Sequence, residues 1–71
     1  MEISFRTSDG TKYFKISHSG SRYYCYKYHS GSVLSHDWDE IGSARTESDA
    51  ISLVKSYVKD KYGSTSNMKI D

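Results

Sequence analysis

The tetrapeptide His-Ser-Gly-Ser occurs twice, at residues 18–21 and 29–32, and a third histidine, His36, follows. Between the copies lies Arg-Tyr-Tyr-Cys-Tyr-Lys-Tyr (22–28), which holds the single cysteine, Cys25. These residue types suggest three chemistries. Imidazole and thiolate are zinc ligands. A thiol against an imidazole is the form of an activated nucleophile. Serine beside histidine is the pair used in acyl transfer. Each chemistry needs its groups to meet in space, so the elements that carry them decide among the three.

Asp9-Gly10 is a strong two-residue hairpin signal, and Ser19-Gly20 and Ser30-Gly31 are weaker ones, because glycine and aspartate tolerate positive φ. All three lie between segments that alternate apolar and polar residues. They mark out four strands, at about residues 2–8, 11–18, 21–29 and 32–38. No proline interrupts them. Two-residue loops at these turns set the cross-strand partners. Ile3, Ile16, Tyr23 and Trp38 then form one row of a sheet face. Phe5, Phe14, Cys25 and His36 form the next, and Thr7, Lys12, Lys27 and Leu34 a third. The first two rows are almost wholly apolar, although the turns alone set the register. The third hairpin is the weakest, since a bulge or longer loop there shifts Trp38.

Residues 46–63 read as a helix. Thr46 and Asp49 resemble a capping box, Glu47 and Asp49 favour the N-terminal dipole, Lys59 and Lys61 the other end, and Gly63 suits the left-handed cap. Ala50, Ile51, Val54, Tyr57 and Val58 recur at helical spacing, with Leu53 beside them. The apolar sheet face is the only large partner for this stripe. The expected fold is therefore α+β: a four-stranded antiparallel β-meander with one C-terminal α-helix packed on one face. Residues 1–63 form the compact domain, with 39–45 as a linker in which Ile41 plugs the edge. Residues 64–71 read as a flexible tail, or as a short edge strand using Met68 and Ile70.

These elements weaken the three chemistries. His18 and His29 fall at opposite ends of the helix-covered side and His36 two strands from His18, so they cannot converge at the roughly 2 Å a zinc ion requires. Cys25 opposite His36 lies under the helix, where structural cysteines are inert. No nucleophile elbow, phosphate loop, dinucleotide loop or metalloprotease motif is present. The expectation is a protein with no catalytic residue, metal or cofactor, and not an enzyme.

The same alternation sends a second set of side chains to the uncovered face: Ser4 and Arg6; Tyr13, Lys15 and Ser17; Arg22, Tyr24, Tyr26 and Tyr28; and Val33, Ser35 and Asp37. The expected contacts there are Arg6 with Tyr13, Tyr13 with Tyr26, and Lys15 with Tyr24. Tyrosines interleaved with cations suit interfaces. They also suit nucleic acid, where bases stack on rings and cations pair with phosphates. The expected function is binding through Arg6, Tyr13, Lys15, Arg22, Tyr24, Tyr26 and Tyr28. The first expected partner is nucleic acid, DNA or RNA; the alternative is a protein, through self-association as a homodimer or a regulatory partner.

Charge supports the first choice locally. Residues 1–34 carry Arg6, Lys12, Lys15, Arg22 and Lys27 against Glu2 and Asp9, whereas residues 35–50 are acidic and the whole chain is only +1. Seventy-one residues make one small domain with a modest core. No apolar run reaches the roughly 20 residues of a membrane span, the N-terminus lacks signal-peptide character, and one cysteine cannot form an internal disulfide. A cytoplasmic location without membrane association is expected. In architecture, a sheet followed by one packed helix resembles the small arm-type DNA-binding domains of phage integrases, and that resemblance implies a sheet set into a DNA groove.

Overall fold

A computed structural model describes residues 1–30 and 36–71 of the chain. Strands β1 (Glu2–Thr7), β2 (Gly10–Ser19), β3 (Arg22–Ser30) and β4 (His36–Ala44) form an antiparallel meander. Helix α1 (Glu47–Tyr62) follows, and β5 (Met68–Ile70) completes a sheet of order β4-β3-β2-β1-β5. The α+β class and the helix on one face of the sheet are as the sequence predicts.

Both described hairpins turn one residue away from the expected place. The first loop is Ser8-Asp9, closed by Thr7 opposite Gly10. The Thr7 hydroxyl accepts from the Asp9 amide at 3.2 Å and donates to the Gly10 carbonyl at 2.8 Å, which fixes these two central residues. Gly10 takes its positive φ of 126° one place later, on entering the strand. The second loop is Gly20-Ser21, with Gly20 at φ 62° in the first central position, as a II′ turn requires. Moving a two-residue loop by one residue moves every pair by two. Ile3 therefore faces Phe14, and Ile16 faces Cys25, where Phe5–Phe14 and Ile16–Tyr23 were expected. An even shift keeps each side chain on its face.

The third hairpin departs by more. Its expected turn at Ser30-Gly31, and Val33, Leu34 and Ser35 of the expected strand, fall partly or wholly outside the described residues. Where pairing is described, Ser30 faces His36 and Tyr28 faces Trp38. A bulge between Cys25 and Tyr26 leaves Ile41 as the extra residue, so that Cys25 faces Gly42 and Tyr23 faces Ala44. The expected linker is thus the second half of β4. Trp38 does not join Ile3 and Ile16 in the core, and Cys25 does not face His36. An odd register shift carries Trp38 to the opposite face.

The core consists of Ile3, Phe5, Phe14, Ile16 and Cys25 from the sheet with Ala50, Val54 and Val58 from α1. Thr46 caps the helix by accepting from the Asp49 amide at 3.1 Å. Gly63 ends it at φ 84°, donating its amide to the Lys59 carbonyl at 2.8 Å. The helix crosses the sheet from β4 toward β1. Near its start, a β-carbon placed on Gly42 would lie 2.7 Å from Leu53 Cδ1, so a larger residue there would make the Leu53 side chain shift. Near its end, the Tyr62 ring lies 5.2 Å from that of Phe5 on β1. This crossing delivers the chain to the β1 edge, where Met68 faces Phe5 and Ile70 faces Ile3. The edge strand considered for the tail forms there, and the Asp71 amide extends it by donating to the Glu2 carbonyl at 3.0 Å.

Candidate functional site

The groups that first suggested chemistry are held apart. Cys25 is fully buried and its thiol donates to the Ala50 carbonyl at 3.5 Å. Burial, and secondarily the Glu40 charge, push the thiol above its ordinary pKa, away from the nucleophilic thiolate. His18 is exposed and stacks on Tyr23 at 4.2 Å with the rings 6° from parallel. His29 is exposed near the other end of β3. Among the described residues no group of three His, Cys, Asp or Glu side chains is placed to hold a metal ion.

The uncovered face gathers the expected set. The registers put Arg6 on β1, Tyr13 and Lys15 on β2, and Arg22, Tyr24, Tyr26 and Tyr28 on β3, all opposite in pleat to the core residues. Their partners differ from those expected, by the same two-residue shift. Arg6 faces Thr11, Lys15 faces Tyr26, and Tyr24 faces Ser43. Tyr13 meets Tyr28, not Tyr26 or Arg6, with ring centroids 6.3 Å apart and edge to face.

Trp38 completes this face. Its ring lies 5.3 Å from that of Tyr28, again edge to face, so Tyr13, Tyr28 and Trp38 form one aromatic row across β2, β3 and β4. The Lys15 ammonium sits 4.6 Å from the Trp38 centroid and 5.3 Å from the Tyr26 centroid. Tyr13, at the end of the row, is 49% exposed, while Tyr24, Tyr26, Tyr28 and Trp38 are half-buried. A row of rings packed edge to face is held together by its own contacts and leaves the outermost ring open to a partner.

Cations border the rings. Arg22 donates from Nε at 3.2 Å and Nη2 at 3.0 Å to the Ser43 hydroxyl, which spreads its guanidinium along the sheet. Arg6 and Lys69 line a cleft of about 350 Å³ at the β1–β5 edge, with the hydroxyl-bearing Ser4, Thr11 and Ser66. Glu2 lies opposite Lys15, and Glu40 opposite Tyr26. Sequence reasoning missed Trp38, Glu40 and Lys69 on this face. For Trp38 and Glu40 the available signal was the small pair Gly42 and Ala44, two residues apart, which marks a strand with a helix pressed on it; for Lys69 it was the alternation with Met68 and Ile70.

Among the described residues no helix is long and apolar enough to cross a membrane. Comparison of the chain with protein-family models, with curated proteins and with solved structures yields no match, so the functional reading rests on these residues.

Proposed function

We propose that the protein is a non-enzymatic binding module acting in the cytoplasm, and that its uncovered sheet face contacts nucleic acid. One observation carries this reading: the Tyr13–Tyr28–Trp38 row with Lys15 held 4.6 Å from Trp38, with Arg6 and Lys69 toward the β1–β5 edge of the same face and Arg22 farther along β3. Bases stack on aromatic rings with about 1–3 kcal/mol each, whatever their sequence. Cations beside the rings pair with phosphates. Tyr13 offers the open ring, Tyr24 and Tyr26 flank the row, and the half-buried rings behind hold it in place.

The test is a titration of labelled single- and double-stranded oligonucleotides at several salt concentrations. A site that neutralises three phosphates gives a log–log salt slope of about −2 to −3. No binding of either probe at micromolar protein in low salt would reject the reading.

A second reading is a protein partner, a second copy of the chain included, on the same tyrosines. It is favoured by Glu2 and Glu40, which bracket Lys15 and Tyr26 with negative charge. Sedimentation of the free protein separates self-association from the first reading.

A further inference from the structure

The β2–β3 ladder runs from Ser19 opposite Arg22 to Phe14 opposite Lys27 and stops there. Both strands continue, β2 to Gly10 beside β1 and β3 to Ser30 beside β4. The sheet therefore parts, and a cleft of about 470 Å³ lies where it opens. Lys12, Lys27, His29 and Lys61 line this cleft, along with Tyr13 and Tyr28 of the aromatic row. Among the described residues that line it, none carries a carboxylate.

Three lysines thus converge on one cleft whose described lining holds no acidic counterpart. Two of them share one phenol. Lys61 donates to the Tyr57 hydroxyl at 3.3 Å, and the Lys61 and Lys27 ammonium groups lie 5.6 and 5.9 Å from the Tyr57 ring centroid. Burial raises the Tyr57 pKa, but hydrogen bonds from Lys61 and Lys27 outweigh it and the net shift is downward. A phenol drawn toward its anionic form marks favoured negative charge beside Lys27 and Lys61, which line the cleft while Tyr57 itself does not. Asp39, opposite Lys27 in register, is exposed and is not among the lining residues.

We propose that this cleft is a phosphate-binding site, formed by Lys12, Lys27 and Lys61 where the sheet parts. The geometry of the cleft stands by itself. That the phosphate belongs to a nucleic-acid backbone rests on the function proposed above, because Tyr13 and Tyr28 serve both the cleft and the aromatic row. A strand stacked on that row would bring a phosphate to the cleft.

The experiment uses the full chain and two probes. Inorganic phosphate is titrated while amide and side-chain NMR signals are followed, with sodium chloride at matched ionic strength as control. Saturable shifts at Lys12, Lys27, His29 and Lys61 are expected with phosphate alone, and they should be lost in Lys27→Gln/Lys61→Gln. In the second arm, that double variant should bind an oligonucleotide roughly tenfold more weakly or worse and lower the salt slope by about 1 to 2. Should the double variant fail to fold, Lys61→Gln alone, at an exposed position, gives the same readouts at half the size. Phosphate shifts without any oligonucleotide binding would keep the cleft and reject the nucleic-acid carrier. Phosphate and chloride giving the same response, together with unchanged oligonucleotide binding in the variant, would overturn the site.

Discussion

Lys15 reaches across β3 from β2 to place its ammonium 4.6 Å from the Trp38 ring centroid on β4, passing Tyr26 at 5.3 Å. This contact joins three strands on the uncovered face. It keeps a cation in the middle of the aromatics, where its charge is available to a phosphate and its stem is packed. Lys15→Met keeps the stem and removes the charge. Stability should fall by no more than about 1 kcal/mol in urea denaturation, while the salt slope of oligonucleotide binding should fall by about 1. An unchanged slope would mean that Lys15 serves the fold alone.

The rings themselves should matter to binding more than to folding. Tyr24→Ala/Tyr26→Ala should abolish oligonucleotide binding and leave the far-ultraviolet circular dichroism and the cooperative melt in place. Cross-strand pairs on an uncovered face contribute roughly 0.2–1 kcal/mol each, against about 1–3 kcal/mol per stacked base. Unfolding of this variant would show that the tyrosines belong to the core.

Gly42 lies against Leu53 on the opposite side of the sheet. Gly42→Ala places a methyl group 2.7 Å from Leu53 Cδ1. It should cost about 1–3 kcal/mol, part of which Leu53→Ala should restore. A double-mutant cycle by urea denaturation checks this, with an expected coupling of about 0.5–3 kcal/mol. Additive losses would mean that the helix shifts freely over β4.

Cys25 should behave as a structural thiol. It is fully buried, and burial raises its pKa. Alkylation in native buffer should be far slower than in urea, and its rate should follow unfolding. The sign of the pH effect is set by the same shift. The unfolded thiol ionises near its ordinary value of 9.0 while the folded thiol ionises only at higher pH. Its contribution to stability is thus complete below about pH 9 and is lost as pH rises beyond it. Fast alkylation of the folded protein at neutral pH would contradict this.

The two faces of β1, β2 and β3 are legible in the sequence because alternation has a period of two. Ser8-Asp9 and Gly20-Ser21 each lie one residue from the expected loops, but a shift of two in register leaves Phe14, Ile16 and Cys25 inward and Tyr13, Tyr24 and Tyr26 outward. The local partners are not legible, since Thr7 decides the first turn through its hydroxyl and Gly20 the second through its φ. β4 is the least legible element. Gly42, Ser43 and Ala44 have linker composition, and the helix packed over Gly42 and Ala44 explains the small size of those two. A two-residue turn at Ser30-Gly31 puts Trp38 in the core, yet the register between Ser30 and His36 and the bulge at Ile41 turn it outward, and neither is written in its own side chain.

Trp38 is the only tryptophan, and it lies within the proposed contact face. Its fluorescence therefore reports the central claim without a label. Titration of the protein with a short unlabelled oligonucleotide at low salt should quench or shift the emission in a saturable way, and added salt should reverse the change. Tyr13→Ala should weaken the response, since Tyr13 supplies the open ring of the row. Emission that stays constant up to micromolar oligonucleotide would contradict the account.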